Sequence, residues 1–160
     1  LNSGIALKRR IIEDLRPSAL TNLGLVAALD ILTREHAQGT GVEMVTHFDP
    51  GLQLSEEAEL TAYRLVQEAL TNAAKHAKAR RIEVRLQAEA GAARVQVIDD
   101  GAGFDPQDTE HSTHGLLGMG YRVESCGGRL QVHSAPGQGT RIEALLPTLP
   151  AANLAAEHTA

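Results

Sequence analysis

The sequence predicts an α/β fold: a two-layer sandwich in which a mixed β-sheet carries helices packed on one face. Apolar residues recur at helical spacing in the first half of the chain. Two segments of alternating polarity, Arg81 to Ala88 and Ala93 to Asp99, flank Ala90-Gly91-Ala92 and read as a β-hairpin. A further helical segment and two strand-length segments follow. Helices and hairpin strands in this order suit a single sheet covered on one side.

The elements follow in order. Ile5 to Leu15 is helical in pattern, with Ile5, Leu7, Ile11, Ile12 and Leu15 set among basic residues. Pro17 disfavours helix at Arg16 and marks a boundary. Asn22 is placed to cap a second helix running to about His36, with Leu25, Val26, Leu29 and Leu32 on its buried side. Gly39 and Gly41 break it, Val42 to Phe48 reads as a strand, and Asp49-Pro50-Gly51 as a turn. Ser55 opens a long helix, and Glu56 and Glu57 suit the dipole of its first turn. After the hairpin, Asp100 to His114 is polar and glycine-bearing, as in a loop. Leu116 to Ser125 reads as a helix, Gly127-Gly128 as a break and Arg129 to Ser134 as a strand. Pro136 to Gly139 turns into a last strand, Thr140 to Leu146, and the Ala-rich tail from Pro147 is expected to be frayed or disordered. The division is therefore 1–17, a helix end with its linker; 18–147, the domain; and 148–160, the tail.

Composition narrows the function. A chain of 160 residues makes one domain with a real core. Aromatics are 2% with no Trp, so Leu, Val, Ile and Ala must build that core. A formal net charge of -5 gives no general reason to bind nucleic acid or an anionic membrane. Cys126 stands alone, which excludes an intrachain disulfide and suits a reducing compartment. No apolar run reaches the length of a membrane span and no signal peptide is visible. The start at Leu1, without Met, suggests a piece of a longer protein, upstream of which there is room for a membrane segment.

The chemistry concentrates in four places. The helix through Arg64 to Ala77 buries Leu65, Val66, Ala69, Leu70 and Ala73 on one side. Glu68, Asn72, Lys75 and His76 fall at i, i+4, i+7 and i+8 on a second face. That face aligns a carboxylate, an amide oxygen and a cation, the groups that position a nucleophile, hold a hard metal ion and neutralise phosphate. Asp99-Asp100-Gly101-Ala102-Gly103-Phe104 ends a strand, where a carboxylate can accept from an exocyclic amine and glycines let the backbone lie against a planar base. Gly115-Leu116-Leu117-Gly118 opens a helix, whose free N–H groups favour phosphate. Gly137-Gln138-Gly139-Thr140 joins two strands. Any one of these glycine segments alone is an ordinary turn or helix start.

Their order resembles a known family. E-x-x-x-N, then D-x-G-x-G, then a glycine-bearing lid, then G-x-G-T is similar to the Bergerat ATP-binding fold of the GHKL superfamily, which includes gyrase-type ATPases, heat-shock chaperones, mismatch-repair ATPases and sensor histidine kinases. Gln67 to Ala77 resembles the N-box of the NarL-partnered (DesK-like) histidine kinases, and Asp14 to Leu20 with Leu23 to Leu29 resembles their linker. The resemblance implies that Glu68 polarises the attacking group, Asn72 binds Mg²⁺, and Lys75 and His76 lie near the phosphates. It implies that Asp99 reads the adenine amine, Gly101 and Gly103 shape the pocket floor, and Gly115, Leu116 and Gly118 belong to the lid. Thr140 matches a threonine near adenine. His76, at a helix end, serves equally well as a solvated or capping residue, and Asp100 reads as a turn residue.

The implied cofactors are ATP and Mg²⁺. The implied partners are the protein's own dimerisation domain with its phosphoacceptor His, a NarL-type response regulator, and a second copy in a full-length homodimer; no nucleic acid is expected. The domain would be cytoplasmic, with the full-length protein tied to the inner or plasma membrane upstream. The chain departs from the subfamily at Thr113, where Gly is usual, and at Gly120-Tyr121, where Arg-Glu is usual. Gly120 is expected to make that helix start late or fray. None of the seven His residues sits in a phosphoacceptor context, and Lys8 to Leu15 resembles the end of the second dimerisation helix. An anti-sigma-factor-type serine kinase on the same fold, or a nucleotide-binding module without catalysis, is the alternative. The linker spelling argues against the first, and the presence of both Glu68 and Asn72 against the second.

Overall fold

The computed structural model describes residues 16–107 and 114–149, so the helix expected over Ile5 to Leu15 and most of the expected tail lie outside the described residues. Pro17 caps a short helix α1, Ser18–Leu23, and Arg16 anchors the linker through Thr21 Oγ1 at 3.1 Å and the Glu56 carbonyl at 3.2 Å. The next helix, α2, spans Leu25–Thr40. Its N-cap is Gly24 (φ 88°), not Asn22, which lies inside α1. A sequence window cannot separate two helices joined by one residue, whereas the positive φ at Gly24 breaks the ladder there. Gly39 stays inside α2, and Gly41 ends it in the left-handed conformation at φ 73°.

Strand β1 is Glu43–Phe48, and Ser55 caps α3, Glu56–Asn72, by accepting from the Ala58 N–H at 3.1 Å. A π-helical turn, Ala73–Ala77, extends α3 and ends at Lys78, the non-glycine residue with positive φ (48°) among those described. The hairpin expected from the sequence forms as β2, Arg81–Glu89, and β3, Ala92–Asp99. Helix α4 spans His114–Ser125, so Gly120 neither delays nor ends it. Strands β4, Arg129–Ser134, and β5, Thr140–Pro147, complete the sheet. Pro147 is part of β5, and Thr148 and Leu149 donate to the Gly91 and Gln53 carbonyls, so the chain stays tied past the expected start of the tail.

The sheet order is β1-β2-β3-β5-β4, parallel only between β1 and β2. Cross-strand rows show why one face takes the helices. Val84, Val97, Ile142 and Val132 are in register, as are Leu86, Val95, Ala144 and Leu130. These rows pack on Leu29, Leu65, Val66, Leu70 and Val123 from the helices. The alternate residues form the other face, where Glu83 pairs with Arg85 and Glu143 with Arg94 and Arg141. The expected two-layer α/β sandwich is the fold observed.

Candidate functional site

The site grows from the row at the tip of the sheet. Asp99 closes β3 and pairs in register with Thr140, the first residue of β5, which pairs in turn with Ser134 of β4. Asp99 is 9% exposed. Its Oδ1 accepts from the Gly101 N–H at 2.9 Å. Burial raises the pKa of Asp99, while hydrogen bonds from the Gly101 and Thr140 main chain oppose that rise. The carboxylate is thus clamped from the main-chain side.

Ser134 is the member that sequence reasoning missed. Its Oγ accepts from the Phe104 N–H at 2.9 Å and donates to the Gly139 carbonyl at 3.0 Å. The hydroxyl has one proton, so Thr140 must be the donor in the 2.9 Å Ser134–Thr140 contact. One side chain therefore ties the loop after β3 to the turn before β5 and fixes the Thr140 rotor. A serine at a strand end carries no motif; only the β4–β5 register makes it central.

Two glycines make this close approach possible. A Cβ on Gly103 (φ 67°) would run into the carbonyls of Ala135 and Gly139, and one on Gly139 (φ 72°) into the carbonyl of Asp99. Asp100 is a structural residue: its Oδ1 accepts from the N–H groups of Arg80 at 2.8 Å and Arg81 at 3.0 Å. Those bonds hold its pKa below the usual carboxylate range.

The helices supply the other wall. Glu68 and Asn72 are half-buried one turn apart on α3, and Lys75 is exposed on the π-turn. The π-turn rotates Lys75 away from the strict i, i+7 alignment expected of an unbroken α-helix. The side chain of His76 lies outside the described residues. Gly115 packs directly on Glu68, since a Cβ there would overlap the Glu68 carboxylate. Leu116 is 8% exposed and its side chain belongs to the core. Gly118 lies on the exposed side of α4, with nothing near its missing side chain. The structure thus joins Asp99, Gly101, Gly103 and Thr140 at the sheet tip, and Glu68 with Gly115 at the helix contact.

A five-stranded mixed sheet, covered on one face by helices that carry this motif order, defines a class: an ATPase domain of the kind found in histidine kinases. The chain belongs to the histidine kinase-, DNA gyrase B- and HSP90-like ATPase family, which it matches over residues 57–150. It is 36% identical to the signal transduction histidine-protein kinase/phosphatase DegS of Brevibacillus brevis, over 92% of this chain and 38% of that protein. It is 39% identical to the sensor histidine kinase MctS of Rhizobium johnstonii, over 92% of this chain and 32% of that protein. Among solved structures, the blue-light activated histidine kinase of Erythrobacter litoralis EL346 superposes with TM-score 0.65 at 25% identity, over 77% of this chain and 41% of that one. The mycobacterial sensor histidine kinase MprB superposes with TM-score 0.60 at 26% identity, over 77% of this chain and 93% of that one. The chain spans well under half the length of these curated relatives.

Proposed function

We propose that this chain is the catalytic and ATP-binding domain of a sensor histidine kinase of the NarL-partnered kind. It would transfer the γ-phosphoryl of ATP to a His on a dimerisation helix of the same protein, for relay to an Asp of a NarL-type response regulator. The observations that carry the reading are two contacts between distant segments: Asp99 and Thr140 joined by strand register, and Glu68 packed against Gly115 at the start of α4.

Each residue then has a task. Asp99, held on its main-chain side, accepts from the adenine amine, and Thr140, whose proton is committed to Ser134, offers lone pairs beside it. Gly101 and Gly103 keep the floor low enough for a planar base. The first N–H groups of α4, at Gly115 and Leu116, suit phosphate oxygens, and Lys75 and His76 are assigned to the phosphates as well. Glu68 polarises the attacking group. Among the described residues no group of three or more His, Cys, Asp or Glu could hold a metal. A lone amide oxygen from Asn72 suits Mg²⁺, which is commonly held by one or two protein oxygens together with substrate phosphates. When bound, the ion would neutralise charge on the transferring group.

The ties of Arg16 to α1 and α3 support the division into 1–17, the end of the second dimerisation helix with its linker, and 18–147, the catalytic unit. None of the described helices is long and apolar enough to cross a membrane, and an anchor would belong to another part of a cytoplasmically exposed, homodimeric kinase. The test mixes this chain, labelled ATP and a separately made dimerisation domain bearing the phosphoacceptor His. Acid-labile label on that domain supports the kinase. Acid-stable label on a serine of an added anti-sigma-type partner, with none on the His, replaces it by the serine-kinase reading.

A further inference from the structure

At the strand ends that carry Asp99 and Thr140 lies an open cavity of about 460 Å³. Strand parity puts it on the face away from the helices. Ile98, Arg141 and His133 lie in one cross-strand row and alternate with the buried Val97 and Ile142. Pro106, Gln138, Ser134 and the main-chain stretch from Gly139 to Thr140 also line it, as does Asp99. The side chains of Asp99 and Thr140 point to the opposite face, so a single layer of main chain separates this cavity from the proposed nucleotide site.

Its chemistry is that of a ligand pocket. The volume lies within the range of small-molecule sites. Ile98 and Pro106 give apolar walls, while Arg141, Gln138 and His133 give donors. The nearby acid on this face, Glu143, is 5% exposed and already occupied: it accepts from Gln96 Nε2 at 2.9 Å and pairs with Arg94 and with Arg141 Nη2. Among the described residues Arg141 is paired with Glu143 through Nη2 alone, which leaves its Nε and Nη1 donors for a ligand of this cavity. A planar guanidinium edge beside apolar walls matches a carboxylate carried on a ring.

We propose that this open cavity binds a small organic anion, a carboxylate on an apolar ring-sized body. The proposal stands apart from the nucleotide reading: Asp99 and Thr140 are among the residues that line this cavity, but Glu68, Asn72, Gly101, Gly103 and Gly115 are not. Naphthoate is the probe and naphthalene methanol its uncharged counterpart, each titrated into isotope-labelled protein with and without ADP while amide resonances are followed. Naphthoate is expected to shift the amides of Ile98, Gln138 and Arg141 whether or not ADP is present, and the alcohol to bind about tenfold more weakly, as for loss of a charge-assisted hydrogen bond. Arg141→Gln should weaken naphthoate by a similar factor. Gln138→Glu, on an exposed turn where folding is not at stake, should weaken it by placing a like charge at the rim. Absence of shifts at these amides overturns the proposal, as does equal binding of acid and alcohol. Displacement of naphthoate by ADP from a site centred on Gly101 and Gly103 overturns it too.

Discussion

Asp99 holds a charge where burial disfavours one, and the N–H groups of Gly101 and Thr140 only partly offset that. A carboxyl whose folded pKa is raised binds its proton more tightly in the folded state. Its contribution to stability is therefore full below its ordinary value and is lost as pH rises through the raised one. Asp99→Asn should remove this loss, so the variant should match or exceed the wild type in thermal stability at neutral pH. The difference should vanish in acid below the ordinary carboxylate value; a melting-temperature series across pH checks both. The same variant should lose ATP affinity. Guanine presents a carbonyl where adenine presents its amine, and two facing acceptors cost roughly 1–3 kcal/mol. Wild type should thus prefer ATP over GTP in competition against a fluorescent analogue; GTP competing equally would refute the role of Asp99. Asn72→Ala should weaken Mg²⁺-dependent nucleotide binding with the fold intact, read by calorimetric titration with and without Mg²⁺. Equal affinities of variant and wild type in both conditions would remove the metal role.

At the scale of elements, the α3–α4 contact decides the site. Gly115 sits where any side chain meets Glu68. Gly115→Ala should therefore displace the flexible Glu68 carboxylate rather than α4 itself, costing about 1 kcal/mol or less and weakening ATP binding. Trimming the obstacle should restore much of the stability, so Gly115→Ala combined with Glu68→Ala should be less destabilised than the sum of the singles. Urea unfolding of the four proteins measures this, and strict additivity would show that the two residues do not meet. The start of α3 is set independently by Ser55, whose hydroxyl accepts from Ala58. Ser55→Ala should cost about 1 kcal/mol in the same assay, with nucleotide specificity unchanged.

For the whole molecule, the proposed kinase function makes activity depend on a phosphoacceptor supplied from outside this chain. Alone, the chain should not label itself with phosphate, since none of its seven His residues has a phosphoacceptor context. With a separately supplied dimerisation domain the transfer should occur slowly, because positioning supplies much of the rate and no tether is present. Glu68→Gln should slow it further, by roughly 10²-fold or more, while nucleotide still binds. Acid-labile label on the chain alone would overturn the first expectation, and an unchanged rate in Glu68→Gln the last.

The sequence by itself determined the class of fold, the hairpin, the cap at Ser55 and the set of chemical groups, because periodicity, turn residues and short motifs act over neighbouring positions. Asp99, Gly103, Glu68 and Asn72 were singled out as candidates in this way. Tertiary structure alone decided the rest. It split the first helical stretch at Gly24, added the π-turn that re-aims Lys75, placed the Leu116 side chain in the core, and made Ser134 the bond between loop and turn. It also set Gly115 on Glu68 and left a pocket at Asp99. These features depend on which strand lies beside which and in what register. Such pairings join residues dozens of positions apart, and local pattern carries no information about them.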